Sequence, residues 1–165
     1  MKRAAVSGDK GAMMIILLKK INLFENFTDS ELEKIRQVCD GIYFKTGEVI
    51  FKEGDVGDKC YMILKGEVRI SKHVPNIGEE ALTVMKEGEY FGEMALIDNY
   101  PRSAHAIANT DASLITLKKE DLQNIFITDR ELGFKFLWAF TKTLSRRLRD
   151  MNDKMTTFLA MAGGF

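Results

Sequence analysis

Residues 91 to 104, Phe-Gly-Glu-Met-Ala-Leu-Ile-Asp-Asn-Tyr-Pro-Arg-Ser-Ala, gather a backbone position without a side chain, one carboxylate, a small apolar turn and one arginine. Gly92 lets the main chain approach a ligand closely, and Met94-Ala95-Leu96-Ile97 can form a short helical turn whose first amides are free for an anion. Arg102 adds a planar fork of donors that matches two phosphate oxygens. Glu93, ionised, only accepts hydrogen bonds and so suits sugar hydroxyls. Pro101 stiffens the approach to Arg102, Ser103 can add a hydroxyl and an amide to the same anion, and Ala104 leaves room beside the backbone. Together these residue types describe a site for a ribose phosphate. The bland alternative is a strand, a turn and a surface Glu–Arg pair.

The same stretch resembles the phosphate-binding cassette of the cyclic-nucleotide-binding domain family, shared by bacterial catabolite activator proteins, regulatory subunits of protein kinases and gated ion channels. The matching positions are Phe91-Gly92-Glu93, the small or apolar run Met94 to Leu96, and Arg102-Ser103-Ala104. The resemblance implies that Glu93 holds the ribose 2′-hydroxyl, while Arg102 and the amides around Ala95 and Ser103 hold the cyclic phosphate. Ser145-Arg146-Arg147-Leu148 resembles the stretch where activator proteins begin to reach the purine, and Asn152 falls where they place a hydroxyl residue. An amide there could both donate to and accept from a base edge, in its own chain or across a dimer. The bland reading of Arg146, Arg147 and Arg149 is a solvated helix face. The expected ligand is cAMP, and Ser103 leaves cGMP open because Ser after the arginine resembles members of both kinds.

The elements that must position these residues are legible as short apolar runs between turns. Ile42-Tyr43-Phe44, Val49-Ile50-Phe51, Cys60 to Leu64, Val68-Arg69-Ile70, Ala81 to Met85, Ala104 to Ala108 and Ser113 to Leu117 are strand-length, and Gly-Glu pairs at 47, 66, 78 and 88 punctuate them. The fold class is mainly β with flanking helices. The family resemblance makes the middle a jelly-roll β-barrel over about residues 42–118, preceded by an N-terminal helix and followed by a long C-terminal helix. Two capping boxes, Thr28 with Glu31 and Thr128 with Glu131, mark helix starts, with Phe27/Leu32 and Ile127/Leu132 as hydrophobic staples. The first helix runs to about Val38, a turn of helix covers 119–126, and the second box opens a helix over 129–159. Leu137, Leu144, Met151 and Phe158 recur every seven residues along it, as do Leu148 and Met155. That stripe either meets a partner helix, as in homodimeric activators, or lies against the barrel.

Length and composition fit one domain: 165 residues with 45% hydrophobic content support a single core, here 13–165 after a loose tail over 1–12. Twenty-four basic and 24 acidic residues leave no net charge, which is not the electrostatic footprint of a nucleic-acid binder. The sequence ends soon after the long helix, so a DNA-reading module and direct DNA binding are not expected. The apolar run from Ala12 to Leu18 is too short to cross a bilayer. Cys39 and Cys60 lack metal-type spacing and are expected to be reduced, buried thiols of a cytoplasmic protein, with no disulfide. His73 and His105 form no His-x-His pair, so a metal-dependent enzyme on a jelly roll has no visible ligand set, and neither a catalytic centre nor a cofactor is expected. The sequence therefore points to a non-catalytic, homodimeric cyclic-nucleotide sensor that acts allosterically on an unidentified partner. The second reading is an interaction or dimerisation module of the same fold without ligand.

Overall fold

The structure is a computed structural model and describes residues 8–162. Helix α1 (Gly8–Leu18), a 3-10 turn (Asn22–Phe24) and α2 (Asp29–Val38) precede the strands β1 (Cys39–Phe44), β2 (Val49–Phe51), β3 (Lys59–Lys65), β4 (Val68–Val74), β5 (Gly78–Met85) and β6 (Tyr90–Phe91). A one-turn helix α3 (Met94–Ile97), β7 (His105–Ala108), β8 (Ala112–Lys118), α4 (Lys119–Thr128) and α5 (Arg130–Ala162) follow. The strands pair antiparallel in two four-stranded sheets of order β1-β8-β3-β6 and β2-β7-β4-β5. This is the jelly-roll arrangement, but the sheets stay separate and do not close into the expected barrel. No helix among the described residues is long and apolar enough to cross a membrane.

Sheet β1-β8-β3-β6 is covered on both faces, which explains the unbroken apolar run of β3. Cys60 and Met62 of β3, Ile115 and Leu117 of β8 and Tyr90 of β6 join the helices in one core. Their neighbours Tyr61, Ile63, Leu114 and Phe91 point the other way, into a second core shared with Val68, Met85 and Ala106 of the facing sheet. Successive strand residues alternate between faces, so one strand serves both cores. Cys60 is wholly buried, and burial pushes its thiol up to about 12. Cys39 is only half-buried, on the edge strand β1, where burial also raises its thiol. Both are free and flank Leu117 from opposite sides in the ladder, about 10 Å apart by strand spacing, too far for a disulfide.

The Gly-Glu pairs are turns, and each glycine has the positive φ that a side chain disfavours. Three turns share one build: Lys45-Thr-Gly-Glu48, Lys52-Glu-Gly-Asp55 and Lys86-Glu-Gly-Glu89. In each, the acidic residue's amide donates to the lysine carbonyl at 3.0–3.2 Å, and its carboxylate accepts from the lysine amide at 2.7–2.8 Å. A further turn is tied by Asp111, which accepts from the Tyr43 hydroxyl at 2.6 Å and from the Thr46 amide and hydroxyl at 2.9 Å. These donors, Tyr43 first, lower its pKa to about 2. The unfolded value is about 3.9, so the stability this carboxylate contributes is full above that pH and is lost as pH falls towards 2. Asp111→Asn should flatten the acid limb of stability against pH between about 4 and 2. An unchanged limb in denaturant melts across that range would remove Asp111 from the account.

Two helix boundaries differ from the sequence reading. Thr28 caps α2 as expected, accepting from the Glu31 amide while Glu31 accepts from the Thr28 amide at 2.7 Å. The second capping box is absent. Thr128 belongs to the last turn of α4, where its hydroxyl donates to the Asn124 carbonyl at 2.8 Å, and Ile127 is exposed rather than stapled. Asp129 caps α5 instead, accepting from the Leu132 amide at 3.1 Å, so α4 and α5 abut through one non-helical residue. Residues 8–12 of the expected tail are the start of α1, since a helix once nucleated gains a hydrogen bond with each residue added; residues 1–7 lie outside the described ones.

Candidate functional site

Residues 91–104 leave β6, turn through α3 and cross to β7 of the other sheet, and they wall a cavity of about 880 Å³. Phe51, Ile70, Leu82 and Met85 form its apolar side, and Arg146, Arg147, Asp150, Met151 and Lys154 of α5 form its opposite rim. Phe91, Gly92, Glu93, Met94, Ala95, Arg102, Ser103 and Ala104 all line it. Two of the anticipated residues do not. Leu96 turns its side chain into the helical core, and its amide donates to the Glu93 carbonyl at 2.9 Å. The free first-turn amides are therefore those of Met94 and Ala95, which have no partner among the described residues. Asn152 is exposed on α5 and is not among the walls of this cavity.

Arg102 is 6% exposed, and the backbone around it is shaped to hold it. Its amide donates to the Asp55 carbonyl at 2.8 Å, and its carbonyl accepts from the Gly54 amide at 2.9 Å. Nη1 donates to the Gly92 carbonyl at 2.9 Å and Nη2 to the Lys59 carbonyl at 2.7 Å, while the guanidinium carbon lies 4.3 Å from the Phe51 ring centroid. The fork expected to face two phosphate oxygens is thus partly spent on main-chain carbonyls, because a buried guanidinium must satisfy its N–H groups somewhere. Nε is buried without a partner. No carboxylate lies within salt-bridge distance of Arg102 among the described residues. Burial lowers its pKa, and a guanidinium still keeps its proton at neutral pH. The result is a desolvated cation without a counter-ion at the wall of a cavity.

Gly92 is where the close approach happens. Its φ is +74°, and a Cβ there would stand 2.7 Å from Arg102 Nη1. A Cβ on Gly57 would stand 2.3 Å from the Ala95 Cβ and 3.0 Å from the Arg102 guanidinium carbon. The glycines make the space that the arginine and α3 occupy. Lys119, the first residue of α4, closes the other end of α3: its ammonium donates to the carbonyls of Ala95 and Asp98 at 3.2 and 2.7 Å and to Asn99 Oδ1 at 3.0 Å. A cation on the carbonyl end of a helical turn is favourable, and this one ties the 94–99 segment to the C-terminal helices.

Glu93 is 1% exposed, and Arg147 from α5 reaches it: Nη1 donates to Oε1 at 2.6 Å and Nη2 to the Tyr90 carbonyl at 2.6 Å. Glu93 Oε2 is buried and unpartnered. The resemblance puts Arg147 in a stretch that begins to reach the base, with a solvated face as the bland alternative, and neither reading pairs it with Glu93; the signal for its inward position is its spacing of 4, 3 and 4 residues along Phe136, Phe140, Thr143 and Arg147, the inward stripe of α5. Chemically the buried part of the cavity offers the unneutralised Arg102 guanidinium, the free amides of Met94 and Ala95, the free Glu93 Oε2 and an apolar wall, with Arg146, Asp150 and Lys154 at its more exposed rim. His105 takes no part here; its Nδ1 accepts from the Glu53 amide at 3.2 Å.

Comparison with known proteins shows the family. The family model of the cyclic nucleotide-binding domain matches residues 42–129, just over half of the chain, and the chain belongs to that family. A CRP-like cAMP-activated global transcriptional regulator of Mycobacterium tuberculosis is 28% identical over 144 residues, covering 87% of this chain and 62% of the regulator. A cAMP-dependent protein kinase regulatory subunit of Hypocrea atroviridis is 34% identical over 108 residues, 66% of this chain and 22% of the subunit. The crystal structure of a cyclic nucleotide-binding domain from Methylobacillus flagellatus superposes with a TM-score of 0.80 at 28% identity, covering 90% of this chain and 84% of that one. The chain spans less than two thirds of the length of these two curated relatives.

Proposed function

We propose that this domain is a non-catalytic cytoplasmic receptor for a 3′,5′-cyclic nucleotide, cAMP before cGMP, and that it regulates a separate partner as a homodimer. The observation that carries the reading is the Arg102 cation, buried without a counter-ion and with Nε unpaired, on the same cavity as the unpaired Glu93 oxygen. A cyclic phosphate supplies the missing anion, and the adjoining ribose 2′-hydroxyl supplies a donor for Glu93. Similarity to cAMP-activated and cAMP-dependent relatives supports that choice of ligand.

Binding would act through the tie between the 94–99 segment and Lys119 and through the Arg147–Glu93 pair, both of which end on the C-terminal helices. A ligand shifts such an equilibrium only by its difference in affinity between the two states. Leu148, Met151, Met155 and Phe158 stand exposed on α5, uncovered by any described part of the chain, which supports pairing with a second copy of that helix. Asn152 lies on the same exposed half of α5, so contact with a base across such a dimer fits its position.

Calorimetry with cAMP, cGMP, 2′-deoxy-cAMP and AMP tests the reading. The parent should bind cAMP and prefer it to the 2′-deoxy form. Glu93→Ala should erase that preference, a loss of about 1.5–3 kcal/mol for a hydrogen bond to a charged acceptor. Saturating ligand, at about a hundred times its Kd, should add about 2.7 kcal/mol, or about 5–11 °C in melting temperature. No heat and no thermal shift with any of the four would favour the interaction module that binds no ligand.

A further inference from the structure

A second concavity, about 400 Å³, lies on the other side of α5, between that helix and the segment around the 3-10 turn. Leu23 and Phe27 form its buried floor. Phe134 and Trp138 stand at its wall, stacked with ring centroids 6.3 Å apart and 65% and 63% exposed. An exposed tryptophan beside a second exposed aromatic ring has no structural use within this chain, and Trp and Arg are the residues that dominate binding hot spots.

The charges around it have one sign in excess. Lys135, Lys142, Arg146 and Arg149 line the concavity against a single carboxylate, Glu25. Lys135 is engaged by Glu31 at 2.7 Å and Lys142 approaches Glu25 at 3.8 Å, but neither Arg146 nor Arg149 has a carboxylate partner among the described residues. The heptad stripe of Leu137, Leu144 and Leu148 faces elsewhere. At about 100° per residue, Trp138 and Arg149 are turned about 80–140° from it, while Phe134 falls on the row of Thr141, Leu148 and Met155, so a second copy paired along the stripe covers Phe134 and leaves the Trp138 and Arg149 side of the concavity open.

We propose that this groove docks an acidic peptide segment of a partner protein, carrying one aromatic or aliphatic anchor that enters beside Trp138 while its carboxylates meet Arg146 and Arg149. A concavity with a buried floor of Leu23 and Phe27 suits a single inserted side chain better than a flat lipid surface. Arg146 also lines the nucleotide cavity, so occupancy of one site alters the other through a shared side chain. That link, though not the docking itself, rests on the sensor reading above.

Trp138 is the only tryptophan of the chain, so its fluorescence reports the groove directly. The full chain is titrated with a library of short synthetic peptides free of tryptophan, each with a central Phe, Leu or Ile flanked by Glu and Asp, and with matched libraries in which Lys replaces the acids or Ala the anchor. Acidic, anchored peptides should give a saturable blue shift. Lys142→Glu with Arg149→Glu, both exposed changes whose folding is checked by melting, should weaken it about tenfold or more. Saturating cAMP should change the peptide affinity about fivefold or more. No saturable shift with the acidic library, an equal response to the basic one, or a response only to phosphatidylserine-containing vesicles overturns the proposal. Equal peptide affinity with and without cAMP, in protein that calorimetry shows to bind it, overturns the link through Arg146. Failure to bind cAMP counts against the sensor reading alone, and a groove-mapped acidic peptide would still uphold the docking site.

Discussion

Arg102→Ala should cost about 2–5 kcal/mol of cyclic-nucleotide affinity, the range for truncating one partner of a buried charged contact, or roughly thirty- to several-thousand-fold. The size follows from what the apo site lacks: a guanidinium buried to 6% exposure and facing no carboxylate has already met its desolvation cost, so an entering phosphate gains nearly undiluted attraction. The same substitution leaves the carbonyls of Gly92 and Lys59 without their donors, so the fold around the cavity loosens as well. Arg102→Lys separates the two effects. Lysine keeps the charge but cannot span both carbonyls and a phosphate oxygen with a rigid fork, so it should bind between parent and alanine variant. A calorimetric Kd for Arg102→Ala equal to the parent's would place the phosphate somewhere else.

Phe136→Ala should be the most damaging single change to stability away from the cavity. Its ring is fully buried, edge-on to Phe24 and Phe27 at 5.9 and 5.2 Å and beside Phe140 at 6.0 Å, so it joins α5 to the N-terminal helices. Truncating a buried Phe typically costs about 3–5 kcal/mol, which for this size is a fall of about 6–20 °C in melting temperature. Leu137→Ala, one residue on and exposed, should stay within about 0.5 kcal/mol in a monomer. A fall below about 1 kcal/mol for Phe136→Ala would mean that α5 is not anchored where the structure puts it. The consequence reaches the cavity, because Arg147 lies further along the same inward stripe and meets Glu93 only if α5 is seated. Loss of ribose preference alongside the loss of stability would be the functional trace.

The sequence carried more of the site than of its surroundings. Gly92, Glu93 and Arg102 stand out in the sequence because their chemistry is local: a glycine that takes a positive φ, a carboxylate and a guanidinium within one loop. Eight of the ten residues named for the site do line the cavity. Leu96 was misassigned because a four-residue helix has an inner and an outer side, and only packing decides which side chains take which. The Thr128 box failed for a similar reason. Ser/Thr-x-x-Glu is satisfied equally well when the hydroxyl back-bonds within a preceding helix, and α4 ran two residues further than its pattern required.

Composition, periodicity and turn chemistry alone pointed to short strands between helices and to residues 91–104 as groups suited to a ribose phosphate, because those readings depend on neighbours in sequence. Tertiary structure alone decided that Arg147 meets Glu93 across 54 positions, that Arg102 is left without a counter-ion, that Lys119 ties α3 to α4, and that the two sheets stay apart. Each of those is a matter of which distant groups burial brings together, and a desolvated charge takes its meaning from the partners that three-dimensional packing supplies or withholds.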